Sequence, residues 1–128
     1  MMKIHLPADQ SWTFSRLPEI LTSRRIPART VTHVGAHHGE EVAIYHQCGF
    51  GHLILVEPDP RSMAVLHRAY GDDPEITLIH AACSTTPGPA TLHLAERTVW
   101  SGLHPHPTAD GHTLEVPTVA LADILDDT

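Results

Sequence analysis

Between Thr30 and His80 short apolar runs alternate with segments whose apolar positions recur at helical spacing. Thr30–Val34 (TVTHV) is a β-branched run broken by Gly35-Ala-His-His-Gly39. Glu40–Cys48 then sets Val42, Ala43, Tyr45 and His46 near one helical stripe, with Gly49 where a C-terminal glycine is expected. Leu53–Glu57 (LILVE) is continuously apolar until its final carboxylate, which suits a strand covered on both faces. Asp59 and Pro60 form a cap and first-turn pair for a helix over Arg61–Tyr70 that buries Met63, Leu66 and Tyr70. Gly71–Pro74 is a turn, and Ile76–His80 (ITLIH) is a third strand. Such alternation predicts βαβ units and an α/β fold: a three-layer α/β/α sandwich on a mostly parallel sheet of order 3-2-1.

The flanks are less regular. Residues 1–29 read as a leader with a short helix over Leu17–Arg25, where Pro18 suits the first turn and Pro27 ends the element. Residues 30–128 form the domain proper. Within it Ala90–Leu94 (ATLHL) alternates like an exposed strand after the Pro87-Gly88-Pro89 turn. Val99–His112 reads as a loop, Glu115–Val119 as a last strand, and Leu121–Leu125 as the start of a helix.

At 128 residues the chain is one domain, and with aromatics at 5% its core must come from Leu, Ile, Val and Ala. No apolar run approaches the roughly 20 residues of a membrane helix, and the N-terminus has no signal-peptide pattern. Cys48 and Cys83 are too few for a disulfide framework, so the expected setting is the cytoplasm. The formal charge of −7 offers no broad electrostatic footprint for nucleic acid.

Chemistry concentrates in VGAHHG and VEPDP. Gly35 and Gly39 sit where the first strand turns into its helix, and backbone without side chains lets a ligand approach closely. Glu57 ends the second strand, 22 residues after Gly35, a separation at which a carboxylate can accept both ribose hydroxyls of a nucleoside cofactor. A dinucleotide site prefers G-x-G-x-x-G and a helix N-terminus aimed at the pyrophosphate. Here the glycines are spaced G-x-x-x-G, and Glu40 and Glu41 at the helix start repel a diphosphate. Both facts favour a cofactor with a cationic centre and no phosphate, as in S-adenosylmethionine. A glycine pair serving only a tight turn and close packing is the competing reading.

The string TVTHVGAHHGEEVAIYHQCGFGHLILVEPDPRSMAVLHRAY resembles the FkbM family of methyltransferases, with its VGA-x-x-G turn and a strand ending in EP-x-P. The likeness continues in ITLIHAACSTTPGPATLHLAE, in WSGL and in EVPTVALADIL, covering the chain from about Thr30 onward. Each motif is weak alone; together and in this order they are specific. The resemblance implies a Rossmann-like, partial class I methyltransferase fold that binds S-adenosylmethionine. It implies O-methylation of a hydroxylated acceptor, a sugar or small secondary metabolite. By the same resemblance Gly35, Ala36 and Gly39 border the methionine and ribose, and Glu57 takes the ribose hydroxyls. Pro58 and Asp59 flank the adenine, with Ala82 and Cys83 on its other side, while His33, His37 and Ser101 stand near the cofactor. His33 and His37 occupy positions where many methyltransferases carry Asp and Asn.

The family continues with a strand of the type I-K-I-D-x-E-G, and this sequence ends at Thr128. The first strand is therefore expected to expose an edge of main-chain donors and acceptors. A truncation, a second chain supplying the remaining strands, or self-pairing are the open explanations, and a second copy, in a homodimer, or a partner chain is expected to cover the edge. A non-catalytic binding or assembly module that completes its sheet with another chain is the alternative to an enzyme, and no residue is assigned as general base.

The chain holds 12 histidines. His104, His106 and His112 with Asp110 lie within the expected loop, where a polar, Pro-rich segment is the favoured reading over metal ligation. For His33, His37 and His38 a cofactor-lining role is favoured over a metal site, so no metal ligands are assigned. Trp12, Phe14 and Trp100 read as packing groups. Cys48 reads as a core residue whose surroundings do nothing to acidify its thiol.

Overall fold

The computed structural model describes residues 14–86, 88–95, 102–104 and 109–126. Expectations for Trp12, Trp100, Ser101 and His106 lie outside these residues, as do those for the side chains of Phe14 and Asp110. A 3-10 turn over Phe14–Arg16 leads into α1 (Leu17–Ser23). There follow β1 (Thr30–Val34), α2 (Val42–Cys48), β2 (His52–Val56), α3 (Pro60–Tyr70) and β3 (Ile76–Ile79). Beyond them lie β4 (Ala82–Cys83), β5 (Gly88–Ala95), β6 (Ala109–Val119) and α4 (Leu121–Asp126). No helix among the described residues is long and apolar enough to cross a membrane.

β1, β2 and β3 form a parallel sheet in that spatial order, so the α/β expectation and its 3-2-1 order hold. The register sets Leu55 between His33 and Leu78. Alternate side chains of β2 point to opposite faces. Leu53 and Leu55, both 0% exposed, join Met63, Leu66, Val42 and Tyr45 on one face. Ile54 and Val56 join Ile124 of α4 on the other. Helices on both faces make three layers, and burying each such Leu contributes about 1.5–3 kcal/mol. This double burial is why LILV is continuously apolar.

Element ends follow local chemistry. α1 stops at Ser23, two residues short of the expected end, because Arg25 adopts a left-handed φ of 54°. α2 starts at Val42 rather than Glu40. Its Val42 and Tyr45 are buried, but Ala43 and His46 are exposed, so the apolar stripe is narrower than expected. Gly49 closes it in the left-handed conformation, φ 89°. Asp59 caps α3 by accepting from the Arg61 N–H at 2.9 Å, as the Asp-Pro pair predicted.

The second sheet has the order β4-β6-β5, with β4 parallel and β5 antiparallel to β6. Here the expectation needs correction. Val99–His112 is not one loop, because β6 begins at Ala109 and pairs along β5 from Thr118 opposite Gly88 to Ala109 opposite Ala95. A shift between His93 and Ala95 breaks the register, and His93 exchanges two main-chain bonds with Gly102, at 2.8 and 3.1 Å. His112 consequently lies exposed in a strand, and His104 lies exposed at a bend beside Gly102.

Candidate functional site

The bend after β1 folds over the carboxyl end of β2. The Gly35 and Ala36 N–H groups both donate to the Val56 carbonyl, at 2.8 and 3.1 Å. Three of the five residues have left-handed backbones: Gly35 at φ 78°, His37 at 53° and Gly39 at 78°. Gly39 is required twice over, since a Cβ there would sit 2.8 Å from Tyr70 and 3.1 Å from Leu66. Gly35 differs. A Cβ there would meet nothing within 4 Å, so open space lies beside this part of the bend.

Glu57 follows β2 directly, its N–H donating to the Ile79 carbonyl at 3.0 Å. Its carboxylate is turned into the bend. Oε1 accepts the His37 N–H and Oε2 the Asp59 N–H, each at 2.8 Å. The side chain therefore bridges the β1–α2 bend and the cap of α3. A carboxylate offers about four lone-pair sites, so each oxygen retains one acceptor position. Burial, leaving the residue 6% exposed, pushes the Glu57 carboxyl above its ordinary value. The N–H groups of Asp59 and His37 work against that rise, while the Asp59 carboxylate adds to it.

Asp59 is fully buried. Besides capping α3 it holds the Arg61 guanidinium at 3.1 Å (Oδ1 to Nε) and 2.7 Å (Oδ2 to Nη2). Arg61 Nη2 also donates to the Ala95 carbonyl at 2.8 Å, tying the loop after β2 to the end of β5. The role carried by Asp59 is thus visibly architectural. His80 Nε2 lies 3.0 Å from the Pro58 carbonyl, fixing the same loop from the β3 side.

The structure brings Gly35, Ala36, His37, Gly39, Glu57, Pro58 and Asp59 together around one bend. His33 is engaged elsewhere, its Nδ1 2.8 Å from the Tyr45 hydroxyl and 4.0 Å from Glu41. Burial, with the Glu41 carboxylate and the Cys48 thiol adding to it, pushes the Tyr45 phenol up to about 12, so its hydroxyl keeps its proton. Ala82 and Cys83 belong to the second sheet. Ala82 packs with Leu92 and Val116, while Cys83 packs near Ile54 and borders a shallow cavity of about 480 Å³ with Ser84, Thr85, Ala120, Leu121 and Ala122. Burial raises both the Cys48 and Cys83 thiols, so neither is acidified.

Sequence reasoning gave Glu40 only a repulsive role, and the structure gives it a holding one. Glu40 accepts the His38 N–H at 2.8 Å and lies 2.9 and 3.2 Å from His37 Nδ1. Partial burial acts to raise its carboxyl, but the His37 and His38 contacts outweigh it and hold the group below its ordinary value. The i, i+3 spacing from His37 was the available signal. Arg61 went unnoticed, although a cation two residues after a buried cap is placed to neutralise it.

No protein-family model matches the chain, and no curated protein matches it. Among solved structures it is similar to the glycopeptide N-methyltransferase MtfA, crystallised with sinefungin, at a TM-score of 0.39 and 11% identity. The match spans 89% of this chain and 73% of that one. A likeness this slight bears on neither activity nor site residues.

Proposed function

We propose that the chain binds S-adenosylmethionine in the bend between β1 and α2, as the cofactor-binding part of an FkbM-like methyltransferase acting on a hydroxyl of a sugar or small metabolite. One observation carries the reading: the Glu57 carboxylate faces the Gly35–Gly39 bend, with one lone pair left on each oxygen. The residues fit an adenosine-type group on a second count, the open space beside Gly35. In this reading Glu57 accepts the ribose hydroxyls, Gly35 and Ala36 admit the ligand to the backbone, and the Pro58–Asp59 loop borders the base. S-adenosylmethionine supplies an activated methyl group; the chain's own part is orientation. Glu40 and Glu41 disfavour a dinucleotide in the same bend.

The reading also includes a further strand on β1, from a second copy or another chain. Among the described residues β1 pairs only with β2, and Val34 at its end is 45% exposed. A non-catalytic assembly module with the same bend is the second reading, favoured by that open edge.

Calorimetric titration separates these possibilities. Saturable one-site binding of S-adenosylmethionine, with none of NADH, supports the nucleoside site, and absence of S-adenosylmethionine binding overturns it. Transfer of labelled methyl to hydroxylated acceptors by a chain that binds the cofactor supports the enzyme; binding without transfer favours the module.

A further inference from the structure

Beside the bend three donor groups converge to which the proposed function assigns no contact with the cofactor. The His37 and His38 rings stack with centroids 3.8 Å apart and planes inclined by 15°. The Glu40 carboxylate approaches His37 Nδ1 at 2.9 Å, and one ligand atom from each of the three residues lies within 4.8 Å of the others. His38 and Glu40 are exposed and His37 is half-buried, so a solvated ion can reach the group.

We propose that His37, His38 and Glu40 form a site for a borderline divalent transition cation, Zn²⁺ or Co²⁺. Two imidazoles and a carboxylate match the preferences of such ions; Mg²⁺ and Ca²⁺ demand oxygen ligands. The donor atoms already lie near one another. Ligand bonds of about 2.0–2.1 Å in a tetrahedron put donor atoms about 3.3 Å apart. The 2.9 Å between His37 Nδ1 and Glu40 is slightly shorter, and the three ligand atoms lie within 4.8 Å of one another. Stacked rings aim their lone pairs in parallel planes, so binding requires the exposed His38 ring to swing out of the stack. The cation takes the place of any hydrogen shared between His37 Nδ1 and Glu40; bound His37 carries its single proton on Nε2, and any further proton passes to solvent.

Preorganisation adds to donor chemistry. All three ligands fall within four residues, so little loop-closure entropy is lost on binding. The His38 N–H already holds Glu40 at 2.8 Å, and the Gly39 N–H donates to the Ala36 carbonyl at 2.9 Å. Three protein ligands leave a position for water or a ligand heteroatom. Because the His37 N–H donates to Glu57 Oε1, a cation here also fixes the segment that covers Glu57.

The test uses the whole chain, stripped with chelator, and ZnCl₂ alone, so it is independent of the methyl-donor reading. Calorimetry is expected to show one equivalent bound. His38→Ala and Glu40→Gln, both at exposed positions, are each expected to weaken it by about tenfold or more, whereas His104→Ala and His112→Ala leave it within about twofold. Circular dichroism checks that each variant is folded. Wild-type chain that binds no equivalent, a smaller loss in His38→Ala or Glu40→Gln, or a loss that follows His104 or His112 overturns the site.

Discussion

The two sheets hold their strands by different means. In the parallel sheet, β2 is buried at four of its five positions, and both faces are packed. In the second sheet, Val116 is the only buried residue of β6 between Gly111 and Val119, while the long pairing with β5 carries the strand. Side-chain packing therefore fixes where the β2 end and its Glu57 stand. The hairpin rests on the smaller cluster of Ala82, Leu92 and Val116 together with its long main-chain pairing, and Arg61 joins the two regions through Ala95. A ligand site that needs definite geometry belongs beside the first.

Removing one side chain from each region should produce the largest difference between them. Leu55→Ala is expected to lower unfolding free energy by about 2–5 kcal/mol, and Leu114→Ala, 39% exposed, by less than about 1 kcal/mol in urea denaturation. Equal losses would show that the exposed side of β6 contributes as much as the buried centre of the parallel sheet. Glycines give the next contrast. Gly39 and Gly111 both have left-handed φ, 78° and 83°, but only at Gly39 does a new Cβ collide with neighbours. Gly39→Ala should destabilise by roughly 2–4 kcal/mol and Gly111→Ala by roughly 1–2 kcal/mol, measured the same way.

Glu57→Gln replaces one acceptor oxygen by an NH₂ group facing a main-chain N–H, with an expected loss of about 1–3 kcal/mol at low pH, where the Glu57 carboxyl is protonated. Its pH dependence sharpens the point. A carboxyl raised by burial binds more protons folded than unfolded, so its stabilising contribution is present below the ordinary carboxylate value. It is lost as pH rises through the raised folded value. The difference between wild type and Glu57→Gln should therefore shrink with rising pH across that window; a difference that grows would reverse the assigned direction. Smallest is Tyr45→Phe, which removes the hydroxyl hydrogen-bonded to His33 and should lower stability by about 0.5–1.5 kcal/mol in thermal or urea denaturation.

Most of the parallel sheet was legible because each of its elements carries a local signal. LILVE is apolar since both faces are covered, Asp59-Pro60 caps since the side chain reaches the Arg61 N–H, and Gly49 ends α2 in a left-handed turn. The start of β6 was not legible. Ala109–Thr113 (ADGHT) has Gly111 and exposed polar residues from Gly111 onward, and only pairing with β5, remote in sequence, makes it a strand. The bend itself was visible as paired glycines and a distant acid. What escaped was how its side chains are used: the Glu57 bridge, Asp59 with Arg61, Tyr45 with His33, and Glu40 with two histidines. Those depend on side-chain directions that spacing alone does not give.

In the proposed function the Glu57 carboxylate at the glycine-lined bend holds an adenosine-type cofactor. The most direct test is calorimetric titration of S-adenosylmethionine into wild-type chain and into Glu57→Gln, at a neutral pH where both are shown folded. The account predicts one-site binding to the wild type and at least about a tenfold weaker affinity in the variant, from the loss of a charged hydrogen-bond acceptor. Equal affinity in the two proteins would contradict it.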